Sequence, residues 1–318
     1  VPVYLQTKYD VRTTRLYSYA WIVYGFLYIP IQLKTVSSII QIVLPGLNLM
    51  VAMFIGVTIA VIYTSFSGMK GASAVGRVVC IGIYVLLICF VFTTLPKFGG
   101  FSGLLGELPE KYDSMGNMPT QRIVAWIVGG CISTAVMQAV LQPLLSAKSP
   151  EAARVGSILG YVIAAPISFF TAICGMLSKA SGADLGDGST AFAYAIKTFS
   201  SPVFAGIIFA FATMIIAATM ATMMLATGTI ITNVYKTEIN PDVDDAKVLK
   251  LSKTITFVFA YLTLIPAFLI PSKSLTNLFL TLQHVAAAPV SFSILAGLLW
   301  KKTTKQGAFW SMLTGMIT

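Results

Sequence analysis

The side chains best equipped to hold a solute come in two pairs. Gln138 and Gln142 stand one helical turn apart, with Pro143 directly behind them. The proline frees a backbone carbonyl and points to a broken helix, a geometry that binds small solutes when it lies within a membrane. The alternative is a pair that hydrogen-bonds to a neighbouring helix. Gln283 and His284 are adjacent and precede a run of small residues ending at Pro289. His284, the only histidine, reads either as a helix–helix contact or as a gate or proton carrier.

Lys34 is the third candidate. It sits deep in an apolar segment and has two readings. In one, tilt brings it to the outer interface, where it snorkels. In the other it faces a wet cavity, as counter-ion to an anionic solute or as a fixed charge replacing a bound cation. A narrow stripe of small and hydroxylated residues completes the set: Thr219, Thr222, Ala226, Thr229 and Asn233 recur at helical spacing. Such a stripe lets another helix approach closely and offers hydroxyls to a partner or ligand.

The elements that must position these groups are membrane spans. Thirty residues, 203–232, pass without a charge. As a helix they reach roughly 45 Å, longer than a hydrocarbon core of about 30 Å. Other spans are expected at 16–45, 47–63, 78–96, 123–145, 155–178, 255–270 and 275–300, with a further one starting near Gly307. A Pro-Gly turn joins the first two, and 64–77 reads as a glycine-rich loop. Ser149-Pro150-Glu151 reads as a helix start, with a hydroxyl at the N-cap, proline at the first helical position and an acid in the first turn. An amphipathic piece is expected at 191–199.

Composition agrees with an all-α, polytopic membrane protein. Hydrophobic residues make up 57%, only 10% are charged, and the mean hydropathy is +0.85; an ordinary soluble domain is about 25% charged. The net charge of +10 follows from a positive-inside bias. Alternating the loops places fourteen basic residues on the cytoplasmic side and six outside, with Lys34 left over, so no nucleic-acid partner is implied. The four cysteines lie in apolar segments without C-x-x-C spacing and read as packed thiols. None of the eleven acids falls within a span, and no H-E-x-x-H, G-x-S-x-G or Walker loop occurs. These absences argue against an intramembrane protease and an ATP-driven pump. The chain starts in a basic segment and stops in an apolar run, which reads as the interior of a longer protein: one transmembrane domain, 1–318, without its first helices and its end.

Five motifs in order resemble the sodium/solute symporter family. They are Val1-Pro-Val-Tyr-Leu-Gln-Thr-Lys-Tyr9; Tyr63-Thr64 with Ser67-Gly68-Met69-Lys70; Gln142 through Ala147-Lys148-Ser149 to Glu151-Ala152; Ala226 to Lys236; and Gly297 to Ala308. The resemblance implies a LeuT-like five-plus-five inverted-repeat bundle, here partial, in the cell membrane. It also implies a secondary transporter of a small polar organic solute, with no cofactor beyond a coupling Na+ or H+ and no enzyme activity. It implies solute contacts for Gln138, Gln142, Gln283 and His284. On the long helix the family's sodium-holding Ser/Thr pair falls on Ala217 and Ala218, with Met214, Thr219 and Thr222 nearby. After a one-turn slip it falls on Ala221 and Thr222. The family's Thr-Asp after the glycine loop falls on Val75 and Gly76. A sodium site is therefore expected to be weakened, and coupling weak, altered or lost, with Lys34 or a proton in the cation's role. The rival readings are a symporter-like sensor domain of a signalling protein and an uncoupled facilitator.

Overall fold

The computed structural model describes residues 1–109, 118–135, 137–185, 188, 190–271 and 275–317, with the backbone alone at 65–75, 135, 143, 245 and 276. All regular structure among these residues is helical: α1 (Pro2–Lys8), α2 (Val11–Val43), α3 (Leu49–Thr94), α4 (Gly100–Gly106), α5 (Thr120–Ala135), α6 (Gln138–Leu145), α7 (Pro150–Ala180), α8 (Ala191–Phe199), α9 (Pro202–Val234), α10 (Asp245–Leu262), α11 (Leu264–Leu269), α12 (Leu275–Leu282), α13 (Ala288–Leu299) and α14 (Lys305–Ile317). Among the described residues six helical segments are long and apolar enough to cross a membrane: Val11–Val43, Gly76–Phe98, Pro150–Ala180, Pro202–Ile239, Ala246–Leu269 and Asn277–Leu299. Leu49–Thr64 is apolar but shorter.

Local chemistry explains the punctuation. Gly46, at φ +93°, takes the left-handed turn after α2, and the Asn48 side chain then accepts from the Met50 amide to cap α3. Ser149 caps α7 as its sequence predicts: its Oγ accepts from the Ala152 amide at 3.1 Å, with Pro150 at the first helical position. The amphipathic piece is α8.

Three expectations need correction. Residues 64–77 are not a loop, because α3 runs through them as one helix of 46 residues. Glycine without proline leaves every amide in place, so the ladder continues. The broken span at 123–145 breaks ahead of Gln138 rather than at Pro143. Of the cysteines only Cys174 is packed; Cys80, Cys89 and Cys131 are exposed on their helices. The loop residues Glu110, Lys111, Asp113, Asp187 and Lys273 lie outside the described residues, as do the side chains of Lys70 and Pro143.

The chain forms two compact units. Unit 1 is Val1–Gln32, Gln121–Ser146 and Met220–Thr318; unit 2 is Leu33–Thr120 and Ala147–Thr219. Unit 2 packs α3, α7, α8 and the first half of α9 around Leu87, Phe90, Ile173, Leu177, Ile196 and Ile208, all at most 1% exposed. Ser178 ties α7 to α8 by donating to the Ala191 carbonyl at 2.7 Å. In unit 1, α2 meets three helices in turn. Gly25 lies against Thr227 of α9, where any Cβ would collide with the threonine hydroxyl. Phe26 meets Phe259 of α10 and Tyr28 meets Phe279 of α12, at ring separations of 5.9 and 5.8 Å.

Candidate functional site

The span that opens with α12 does not run straight into α13. Gln283–Ala287 form a π turn, in which the Ala288 amide reaches back five residues to the Gln283 carbonyl. Pro289 supplies the reason. It has no amide to give Val285, and its ring crowds that carbonyl, so the helix widens just before it. Both of this span's candidate residues, Gln283 and His284, sit in the widened turn.

The turn is held against α5. His284 Nδ1–H donates to the Leu280 carbonyl at 2.6 Å. A carbonyl only accepts, so Nδ1 carries a proton; in the neutral ring that leaves Nε2 as an acceptor. The ring lies so close to α5 that a Cβ on Gly129 would stand 3.2 Å from Nε2. One helical stretch further on, Ser291 Oγ donates to the Ala287 carbonyl of its own helix at 2.6 Å and stands 3.4 Å from the Ser133 carbonyl of α5. The two glutamine-bearing spans therefore pack side by side within unit 1. Gln138 opens α6 after the break and is 7% exposed. Gln142 follows one turn later. The Oε1 atoms of Gln142 and Gln283 are both buried without a hydrogen-bond partner.

More groups of this kind line α2, on residues other than Lys34. Tyr17, Trp21, Tyr24 and Tyr28 form a column on one face, with successive ring centroids 6.2, 5.1 and 5.5 Å apart. Tyr17 OH, Trp21 Nε1, Tyr24 OH and Thr13 Oγ1 are buried and unpartnered, and so is Thr227 Oγ1 on α9. An unmet buried donor or acceptor costs about 1–3 kcal/mol. Eight of the ten such atoms among the described residues lie in unit 1, so the cost is concentrated where the two glutamines are. The signal was present in the sequence: aromatic residues at 17, 21, 24 and 28 keep the spacing of a single helix face.

The cation candidates all lie on α9. Met214 is 46% exposed and Ala217 is buried. Ala217 and Ala218 carry no side-chain oxygen, and the Thr219 hydroxyl donates to the Ile215 carbonyl of its own helix at 3.0 Å. Thr222 is half-buried. The hydroxyl stripe is not continuous as expected. Thr229 is exposed and bonds the Leu225 carbonyl at 2.7 Å, while Thr227, outside the stripe, is fully buried. Lys34 belongs to unit 2 and is only 4% exposed, buried in protein rather than extended over the surface.

The chain matches the model of the sodium:solute symporter family over residues 1–315. Among similar proteins, the uncharacterized symporter YodF of Bacillus subtilis (strain 168) is 25% identical over 304 residues, which cover 91% of this chain and 60% of that protein. The sodium/glucose cotransporter of Vibrio parahaemolyticus is 25% identical over 97% of this chain and 63% of its own length. The monocarboxylate transport permease protein of Rhizobium johnstonii is 24% identical over 75% of this chain and 50% of its own. The chain thus spans between half and two thirds of these relatives.

Proposed function

The chain belongs to the sodium:solute symporter family, and from that premise we propose that it builds the helical core of a secondary carrier. It is an integral, multi-pass membrane protein and not an enzyme. The carrier moves a small polar organic solute across the cell membrane by alternating access. The observation that carries this reading is the π turn at Gln283 and His284, which widens a span midway and leaves a buried amide oxygen with no protein partner. Irregular backbone at membrane depth is tolerated where it lines a cavity or is buried in protein.

The unmatched oxygens of Gln142 and Gln283 are acceptors, so the solute presents hydroxyl or N–H donors to them. Tyr17, Trp21 and Tyr24 offer donors and stacking faces in the same unit. The names of the relatives, a glucose cotransporter and a monocarboxylate permease, fit solutes of this size and polarity.

Sodium is the coupling ion that the family suggests, and the alanines at 217 and 218 favour weak coupling, since sodium is held by several oxygens at once. The same two residues favour a second reading, an uncoupled facilitator. The test is uptake of a solute panel by the full-length protein in liposomes, with and without a sodium gradient. Replacing Gln283 by Leu keeps the volume and removes the acceptor. Loss of about 1.4 kcal/mol of binding lowers uptake about tenfold. Unchanged uptake in both Gln283→Leu and Gln142→Leu would refute the site.

A further inference from the structure

Unit 1 gathers basic charge at one end. Tyr9 OH donates to the Ser293 carbonyl at 3.0 Å, and Arg15 Nε and Tyr19 OH both bond the Glu238 carboxylate, at 2.8 and 3.1 Å. The Arg12 guanidinium lies over the Phe309 ring, 5.9 Å from its centroid. These contacts join segments 1–19, 235–239 and 293–309. Together the segments hold Lys8, Arg12, Arg15, Lys236 and three lysines at 301, 302 and 305, against only Asp10 and Glu238. Asp10 is already engaged: burial works to raise its pKa, but the Thr13 amide and the charges of Lys305 and Arg12 outweigh that and hold it below its ordinary value. The remaining charge is a net positive surface, and the positive-inside rule places this end on the cytoplasmic side.

A cavity of about 250 Å³ opens at this end. Its wall contains Lys302 and the hydroxyl-bearing Tyr9, Ser293, Thr303, Thr304 and Ser311. Tyr9 and Ser293 are only 3% and 2% exposed, and the Ser293 and Ser311 hydroxyls bond each other at 2.7 Å. Phe292 and Trp300 form its apolar wall, and both look outward, at 58% and 62% exposed. Leu299, on the same stretch of helix, is 83% exposed. One cation and a group of hydroxyls thus sit at the end of an exposed apolar strip, with a tryptophan at the junction.

That sequence of surfaces matches an amphiphile. We propose that the cavity is a headgroup site for an anionic diacyl phospholipid of the cytoplasmic leaflet. The phosphate lies against Lys302 and the Thr304 hydroxyl, which accepts from the Gly307 amide and keeps its own proton to give, and the acyl chains run along Phe292 and Leu299. Basic pockets between transmembrane helices on the cytoplasmic side take such headgroups. A free phosphate would use the polar part alone and leave the apolar strip without a role. The cavity lies just under the roughly 300–1,000 Å³ that drug-sized ligands occupy, a size that suits a headgroup. The site is independent of the carrier reading, since it does not involve Gln142, Gln283 or His284.

The test uses the full-length protein in vesicles of brominated phosphatidylglycerol or brominated phosphatidylcholine. The difference in tryptophan quenching between the parent and a Trp300→Phe variant reports lipid beside residue 300. Phosphatidylglycerol is expected to be preferred there by about fivefold, the factor that about 1 kcal/mol per basic residue at an anionic surface produces. Lys302→Gln should abolish the preference, Lys302→Arg should keep it, and Lys247→Gln, a lysine outside the cavity, should leave it intact. Equal quenching by the two lipids overturns the proposal, as does a preference untouched by Lys302→Gln. Inorganic phosphate that removes the preference at concentrations comparable to the lipid also overturns it, by showing a simple anion site.

Discussion

Gly25→Ala makes the sharpest demand on the packing of unit 1. Alanine is normally the better helix former, by about 0.5–1 kcal/mol, so on propensity alone the change stabilises α2. Here the new methyl would clash with the Thr227 hydroxyl, with the two Thr227 side-chain carbons 3.3 Å away. Two heavy atoms on its Cβ leave the threonine little freedom to turn away within the helix. The helices must separate, at an overpacking cost of about 1–3 kcal/mol. The net effect is a loss of roughly 0.5–2 kcal/mol once the propensity gain is subtracted. Thr227→Ala removes the obstacle and, because the hydroxyl has no partner, its own effect is within about 1 kcal/mol of neutral. In that background Gly25→Ala should change sign and stabilise. The measurement is reversible unfolding in mixed detergent micelles, followed by circular dichroism, for the four proteins of the double-mutant cycle. A coupling below about 0.5 kcal/mol, the level at which independent sites add, refutes the close approach of α2 and α9.

Three further outcomes rest on single contacts. Gly129→Ala places a methyl 3.2 Å from His284 Nε2 and should lower uptake severalfold, whereas Gly130→Ala, with nothing within 4 Å, should leave it unchanged; liposome uptake compares the two. Restoring oxygens with Ala217→Ser together with Ala218→Ser should raise the stimulation of uptake by sodium, read as the ratio of rates with and without a sodium gradient. Asp10 has a folded-state pKa below the ordinary 3.8, so its stabilising contribution is complete above that value and is lost as the pH falls through the lowered one. The stability gap between the parent and Asp10→Asn, measured by unfolding, should therefore be constant above pH 3.8 and close below it.

What the sequence disclosed and what it hid divide along a physical line. Apolar runs and caps are local, so α9, the α7 start at Ser149 and the turn at Gly46 were all legible before any coordinate. The rotation of a helix about its axis is legible only when one face differs from the others. Helix α9 carries no charge on any face, and its stripe of small and hydroxylated residues, which takes in Thr229, does not show that Thr227 faces α2 while Thr229 is exposed. The same reasoning covers α3. Gly68, Gly71 and Gly76 read as a loop by the rules of soluble proteins, yet membrane helices tolerate glycine, and no proline interrupts the ladder.

The π turn lies between these cases. Pro289 announces a missing hydrogen bond, but whether the helix bends, breaks or widens depends on its neighbours. Here His284 against Gly129 and Ser291 against Ser133 hold α5 alongside, and the extra residue is taken up at Gln283–Ala287. A side chain larger than glycine at 129 would crowd the imidazole that this packing brings there. Gly129 therefore belongs to the same device as Pro289, although 160 positions separate them in the chain. The proline removes a hydrogen bond and widens the helix, and the glycine makes room for the histidine ring that the widened turn carries.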